Sequence, residues 1–187
     1  AKRKSAAQAL GREVTQAMQS LAMSGGRFAV SLQALNEPGS TGAEDVGFEV
    51  ATHPSLPLRP LAKVASGGEL SRVSLAIQLV AAKESPIGTL VFDEVDSGIG
   101  GAVAEKVGRS LNKLGRERQV LCVTHLPQVA AQADAQWSVS KSATRGKVSS
   151  AVARLDRAGR IEELARMLGG TEITATTRKH AAELLGK

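Results

Sequence analysis

The sequence contains very few aromatic side chains and a single cysteine. Among 187 residues there is no tyrosine, one tryptophan and three phenylalanines, which argues against a module that stacks single-stranded bases on aromatic rings. One cysteine excludes a disulfide framework or a multi-thiolate zinc site and is consistent with a reducing, cytoplasmic environment. Because Cys122 lies within an apolar run, we expect a packing residue rather than a nucleophile.

Long apolar runs are also missing. No stretch approaches the ~20 residues that a membrane-spanning helix needs, and no apolar signal-peptide core follows the basic start, so we expect no contact with a membrane. The composition, 42% hydrophobic and 22% charged, excludes wholesale disorder and is typical of one globular domain. The first residue is alanine rather than methionine, which predicts that the chain is a fragment.

The net charge of +6 is concentrated at the two ends of the chain. Residues 1–24 carry four basic side chains and one acidic, residues 141–187 carry ten and five, and the residues between them carry ten and twelve. Basic ends favour a polyanion such as DNA as a partner, bound through its phosphates without sequence preference. The alternative is an ordinary solvated surface.

Apolar periodicity predicts an α/β domain behind a long first helix. The apolar side chains of that helix form a narrow stripe, which suits a two-helix seam better than a deep core, so residues 1–24 are predicted to end a coiled-coil arm. Residues 25–187 are predicted to form the domain, beginning with two strands separated by a turn at residues 36–39. Two apolar runs at residues 89–92 and 119–124 predict parallel strands buried on both faces and joined by a helix. Further elements are expected at about residues 68–83, 102–114, 160–168 and 174–186 (helices), after Pro127 (a short helix), and at 137–141 and 148–155 (strands).

Three polar clusters lie where predicted elements begin or end. The first, Ser66-Gly67-Gly68-Glu69, opens the helix of residues 68–83. Paired glycines let the backbone approach an anion closely, and the free N–H groups of a helix N-terminus favour a phosphate there. The Ser66 hydroxyl can add a hydrogen bond. The alternative is a serine that only caps the helix.

The second and third clusters follow the two apolar runs. Asp93-Glu94 comes after the first run and His125 ends the second, at the edge where α/β sheets bind ligands. Asp93 can hold Mg²⁺ through its water shell, and the adjacent Glu94 can polarise a water that attacks a phosphate. His125 could contact the same terminal phosphate. The alternatives are a capped turn for the two acids and an ordinary hydrogen-bonded histidine.

In their order and spacing, the three clusters resemble the C-terminal lobe of an ATP-binding-cassette ATPase head. Residues 65–72, 91–96 and 123–130 are similar, more closely, to motifs of the RecN family of bacterial DNA repair proteins, a family related to the structural-maintenance-of-chromosomes (SMC) proteins. The resemblance covers the whole chain. It implies an α/β fold in which helices flank a parallel sheet, preceded by a coiled-coil stump.

The resemblance also implies roles for residues. Glu94 and His125 would be catalytic, and Asp93 would be the metal ligand. The residues implied in cofactor binding are Ser66, Gly67, Gly68, Glu69, Asp96 and Ser97. The implied protein is a cytoplasmic, nucleoid-associated ATPase that acts in DNA double-strand-break repair or recombination. It uses ATP and Mg²⁺, and its ATP-bridged heads form a homodimer.

The phosphate-binding loop G-x-x-x-x-G-K-[ST] is absent from the sequence. On the resemblance, this loop belongs to an N-terminal lobe of the same protein, so we expect that lobe as a partner and expect the chain alone to be inactive. Gly100 stands where transporters commonly have aspartate, so no side-chain role is carried over to it.

Two other functions remain open. One is an ATPase subunit of a membrane transporter, which the Val95-Asp96 pair and the first helix count against. The other is a non-enzymatic basic DNA-binding module whose carboxylates are only structural.

Overall fold

A computed structural model describes residues 2–64, 66–93, 96–144, 147–169 and 172–186 of the chain. The helices are α1 (Lys2–Ser20), α2 (Gly67–Glu84), α3 (Gly101–Leu114), α4 (Pro127–Ala130), α5 (Arg157–Gly169) and α6 (Ala175–Leu185), with a 3₁₀ turn at Leu61–Lys63. The strands are β1 (Arg27–Gly39), β2 (Gly42–Ala51), β3 (Arg59–Pro60), β4 (Thr89–Phe92), β5 (Gln119–Cys122), β6 (Trp137–Thr144) and β7 (Lys147–Arg154). The order of the predicted helices and strands is confirmed, although several ends differ and β3 and the 3₁₀ turn were not predicted.

The first sheet is antiparallel, in the order β1-β2-β3. Its longest strand does not stop where the sequence predicts a turn. β1 continues through residues 36–39, and the chain reverses at Ser40 and Thr41. The register shifts between Ala34 and Gly39, and such an irregularity accommodates Pro38, which cannot donate to a regular ladder. The predicted turn is therefore wrong.

Helix α1 contributes directly to the main core. Val14 and Met18 are fully buried and belong to the same cluster as Phe28 of β1 and Val73 of α2. The expectation that the apolar stripe avoids a deep core is therefore wrong for the second half of the helix, because β1 and α2 both pack against it. The first turn, which begins at Lys2, is exposed.

The second sheet contains the predicted parallel pair, β4 and β5, joined through α3. Side chains alternate between its two faces. Phe92 is buried in the main core, whereas Val91 is 68% exposed and Val123, just beyond β5, is 61% exposed. The strands are therefore buried on one face of this chain only, and the expectation of two buried faces is wrong. No described element covers the face on which Val91 lies.

The C-terminal part consists of the β6–β7 hairpin and two packed helices. Leu164 and Ala165 of α5 and Ala181 of α6 form a second small core, together with Ala130 at the end of α4. Helix α6 begins with a capping box at Thr174. Among the described residues, every helix is too short or too polar to cross a membrane.

Thr15 joins α1 to the outer edge of β1. The Phe28 N–H donates to Thr15 Oγ1 at 2.9 Å, and this hydroxyl donates to the Phe28 carbonyl at 3.2 Å. Both backbone groups lie on the strand edge away from β2, where they would otherwise be unpaired.

Thr15→Val should lower the free energy of unfolding by about 1–3 kcal/mol, because the isosteric change leaves those partly buried groups unpaired. The midpoint of thermal unfolding should fall by roughly 2–4 °C for each kcal/mol. Thr176→Val is the matched control, since Thr176 is exposed on α6 and threonine and valine have similar helix propensities. Equal midpoints for the two variants, measured by circular dichroism, would contradict the assignment.

Candidate functional site

The pairing of β4 with β5 brings the strand ends before Asp93 and His125 together. Phe92 pairs with Cys122, and the Val123 N–H donates to the Phe92 carbonyl at 2.9 Å. The two strands therefore end at the same level of the sheet. Asp93 follows β4 as an exposed side chain, and His125 lies just beyond the end of β5, also exposed. The expected meeting of these two strand ends is confirmed.

Asp96 connects the two strand ends. Its side chain is 2% exposed, and its Oδ2 accepts hydrogen bonds from the Thr124 hydroxyl and, at 3.0 Å, from the His125 backbone N–H. The imidazole Nδ1 of His125 lies 3.3 Å from the same oxygen. Thr124 was not among the predicted site residues. A hydroxyl between an apolar strand and a histidine was the only signal that could have indicated it.

The first cluster forms the start of α2. Ser66 is the N-cap, and its Oγ accepts the Glu69 N–H at 3.4 Å. The capping role is therefore present. It uses a lone pair of the hydroxyl and leaves the proton free to be donated to another acceptor. Ser66 and Gly67 are exposed, and no described atom lies within 4 Å of the place where a Gly67 Cβ would stand. An anion could approach this end of the helix.

The loop after β4 also touches the start of α2. Gly98 has a φ of +72°, and a Cβ on it would lie 3.0 Å from the Gly68 Cα. A hydrogen bond of 3.2 Å from the Ile99 N–H to the Asp96 carbonyl closes the turn. The turn of residues 96–99 thus contacts the histidine through its first residue and α2 through its third. The described residues of the first and third clusters therefore both lie next to this turn.

Several predicted residues have no direct contact that tests their role. Glu69 and Ser97 are half-buried, and Glu94 lies outside the described residues. Within the described ranges, no three His, Cys, Asp or Glu side chains converge on a point. The single exposed carboxylate of Asp93 nevertheless fits Mg²⁺, which usually binds one or two carboxylates and retains several waters.

The environment of Cys122 shows the electrostatic character of the site. Burial, together with the negative charges of Asp96 and Asp93, raises the pKa of the thiol to about 11. The thiol is therefore protonated at neutral pH and is a poor nucleophile. This supports the expectation that Cys122 is a packing residue.

Comparison with solved structures identifies the fold. The fold matches the Smc head domain with a coiled coil and joint from Pyrococcus yayanosii, with a TM-score of 0.65 and 21% identity over 84% of this chain and 28% of that chain. It also matches a chain from a study of ATP-driven dimerization and DNA-stimulated activation of SMC ATPases, with a TM-score of 0.61 and 21% identity over 88% of this chain and 94% of that chain. The fold is that found in SMC ATPase heads, as predicted, and it is consistent with a C-terminal lobe.

Sequence comparison identifies the family. The chain is 50% identical over 182 residues to DNA repair protein RecN of Xylella fastidiosa (strain Temecula1). This alignment covers 96% of this chain and 33% of the relative. It is 48% identical over 180 residues to RecN of Vibrio cholerae, again over 96% of this chain and 32% of the relative. No family model matches the sequence. The chain belongs to the RecN family as a segment that spans about a third of the length of these curated relatives. A transporter subunit and a non-enzymatic DNA-binding module are not favoured.

Gly98→Ala should lower the free energy of unfolding by about 1–3 kcal/mol, the usual cost of a non-glycine residue in the left-handed region. Contact with the Gly68 backbone adds to this strain. Gly88→Ala is the control, because Gly88 has no positive φ and no described atom lies within 4 Å of its added Cβ. Chemical denaturation compares the two. If Gly98→Ala were as stable as Gly88→Ala, the turn would not be held against α2.

Proposed function

We propose that this chain is the C-terminal lobe of the ATPase head of a DNA repair protein. ATP bound between two heads would drive their dimerisation, and hydrolysis assisted by Glu94 would release it. The observation that carries the proposal is the strand pairing that places Asp93 and His125 beyond the adjacent ends of β4 and β5. Asp96 is bonded to the second of these ends, and the glycine-rich start of α2 lies against the same turn.

Within one head, the strand ends would act on ATP held by an N-terminal lobe. Asp93 would hold Mg²⁺, and the bound ion would neutralise charge on the phosphates. Glu94 would polarise the attacking water and accept its proton, since it directly follows the metal-binding carboxylate in the chain. His125, whose side chain is 73% exposed, would contact the γ-phosphate.

Toward a second head, the start of α2 would act on the partner's nucleotide. The Ser66 hydroxyl and the first N–H groups of the helix would bind the γ-phosphate, where the positive end of the helix dipole is favourable. Glu69, Asp96 and Ser97 would support this surface. Because each ATP would contact both heads, the nucleotide itself would join them into a homodimer.

The outer face of the parallel sheet offers a surface for the N-terminal lobe. Val91, Leu121 and Val123 alternate with core residues and so share this face, where they are 68%, 43% and 61% exposed. Apolar side chains gathered on one strand pair are typical of a covered surface. The N-terminal lobe of the same protein is the proposed occupant, because the missing phosphate-binding loop must reach the ends of these strands.

DNA is the second proposed partner. We propose that residues 1–24 end a coiled-coil arm whose last turns are packed into this lobe. Lys2 and Lys4 are exposed at its start, whereas the Arg3 guanidinium donates to the Thr41 carbonyl at 2.7 Å. Binding through exposed lysines would depend on phosphates, show little sequence preference and weaken with salt.

Glu94→Gln in the complete protein should retain ATP binding and lose most turnover. Glutamine preserves the shape and a hydrogen bond but cannot accept a proton, a function usually worth about 10²–10⁴-fold. Steady-state phosphate release measures turnover, and the 187-residue chain alone, which lacks the phosphate-binding loop, gives the expected inactive background. Asp93→Ala is the comparison, since it should also weaken Mg²⁺-dependent ATP binding. Wild-type turnover by Glu94→Gln would contradict its role.

Ser66→Arg in the complete protein should preserve ATP binding and prevent ATP-dependent dimerisation. The larger cation would occupy the space proposed for the partner's γ-phosphate. Ser24→Arg, at an exposed serine in the turn after α1, adds the same charge outside the three clusters and should dimerise normally. Light scattering with and without ATP decides between them. Normal dimerisation by Ser66→Arg would leave Ser66 as a helix cap only.

A further inference from the structure

Asp96 is the one charged side chain that is almost completely buried within the described ranges, at 2% exposure. A carboxylate withdrawn from water is unfavourable unless hydrogen-bond donors replace the lost hydration. Its donors all belong to the residues that follow β5. The interactions of this carboxylate are therefore a property of the site rather than of the general core.

The direction of each hydrogen bond around Asp96 follows from the chemistry of the groups. An ionised carboxylate only accepts, so the Thr124 hydroxyl gives its proton to Asp96 Oδ2. The same hydroxyl oxygen accepts the Leu126 N–H at 3.0 Å. Together with the His125 N–H at 3.0 Å, these bonds hold residues 124–126 in one conformation. The backbone of His125 is thus positioned by Asp96.

The imidazole ring is positioned by the same oxygen. His125 Nδ1 lies 3.3 Å from Asp96 Oδ2, and next to a carboxylate oxygen a ring nitrogen is favoured as N–H, because two lone pairs would repel each other. When the neutral ring carries its proton on Nδ1, Nε2 is the nitrogen that can accept a hydrogen bond or a proton. If Nε2 also donates to a phosphate, the ring carries a positive charge, which the Asp96 carboxylate offsets.

We propose that Asp96 is a positioning residue that sets the orientation and the protonated nitrogen of His125, rather than a residue that binds nucleotide itself. The inference rests on the proposed function for its effect on turnover. The hydrogen-bond geometry that carries it is independent of that function.

A double-mutant cycle in the complete protein tests the effect on turnover. Asp96→Asn can keep one oxygen acceptor toward the three donors, while it removes the charge and replaces the second carboxylate oxygen by an NH₂ group. It should lower kcat by about tenfold to 100-fold, with little change in the KM for ATP. This range is the usual loss when the hydrogen-bond partner of a metal-ligating histidine is replaced. In the His125→Ala background the same change should have no further effect, because Asp96 acts through the ring.

Two results of the cycle would overturn the inference. An equal loss from Asp96→Asn in both backgrounds would show that Asp96 acts independently of His125, and an unchanged kcat in the wild-type background would show that it does not act. Thr124→Val is the structural control, because it removes one donor to Asp96 and leaves the ring contact. It should lower the unfolding midpoint but reduce kcat less than Asp96→Asn does.

The protonated ring nitrogen is measured separately by ¹⁵N–¹H correlation spectra of histidine-labelled protein, with His125 assigned from the spectrum of His125→Ala. The neutral ring should carry its proton on Nδ1. A proton on Nε2 alone would overturn the inference whether or not the protein hydrolyses ATP. Conversely, an Nδ1 proton in a protein without ATPase activity would refute the proposed function and leave the positioning intact.

Discussion

The hydrogen bonds between β4 and β5 are the constraint on which the candidate site depends. Their register pairs Phe92 with Cys122, so the segments that follow the two strands begin side by side. A shift of one residue would turn each side chain to the opposite face and would move Asp96 away from Thr124 and His125. The same pairing that places Phe92 in the core therefore also assembles the polar groups beyond it.

The turn of residues 96–99 carries this arrangement toward α2. Its first residue, Asp96, is tied to the end of β5, and Gly98 lies against Gly68 at a distance that leaves no room for a side chain. A left-handed φ at Gly98 makes this close approach possible. In the proposed function, one short turn thus touches the residues that act on a head's own nucleotide and those that act on its partner's.

The chain completes its main core while leaving other apolar faces open. Val91 and Val123 are exposed on the parallel sheet, and Trp137 and Val139 are exposed on one face of the β6–β7 hairpin. Arg154 lies over the Trp137 ring at 5.9 Å but does not cover the face. Open faces on two separate sheets agree with a segment that spans a third of the length of its relatives.

The order of the elements and the position of the three polar clusters were determined by the sequence alone, because periodicity, glycine pairs and strand ends are local properties. The meeting of the strand ends that Asp93 and His125 follow resulted from the geometry of parallel strands. Tertiary structure alone decided that Val14 enters the core, that Val91 remains exposed and that Asp96 turns inward to Thr124. Each of these outcomes depends on residues distant in the chain or on a face that no described element covers, and no local pattern encodes such contacts.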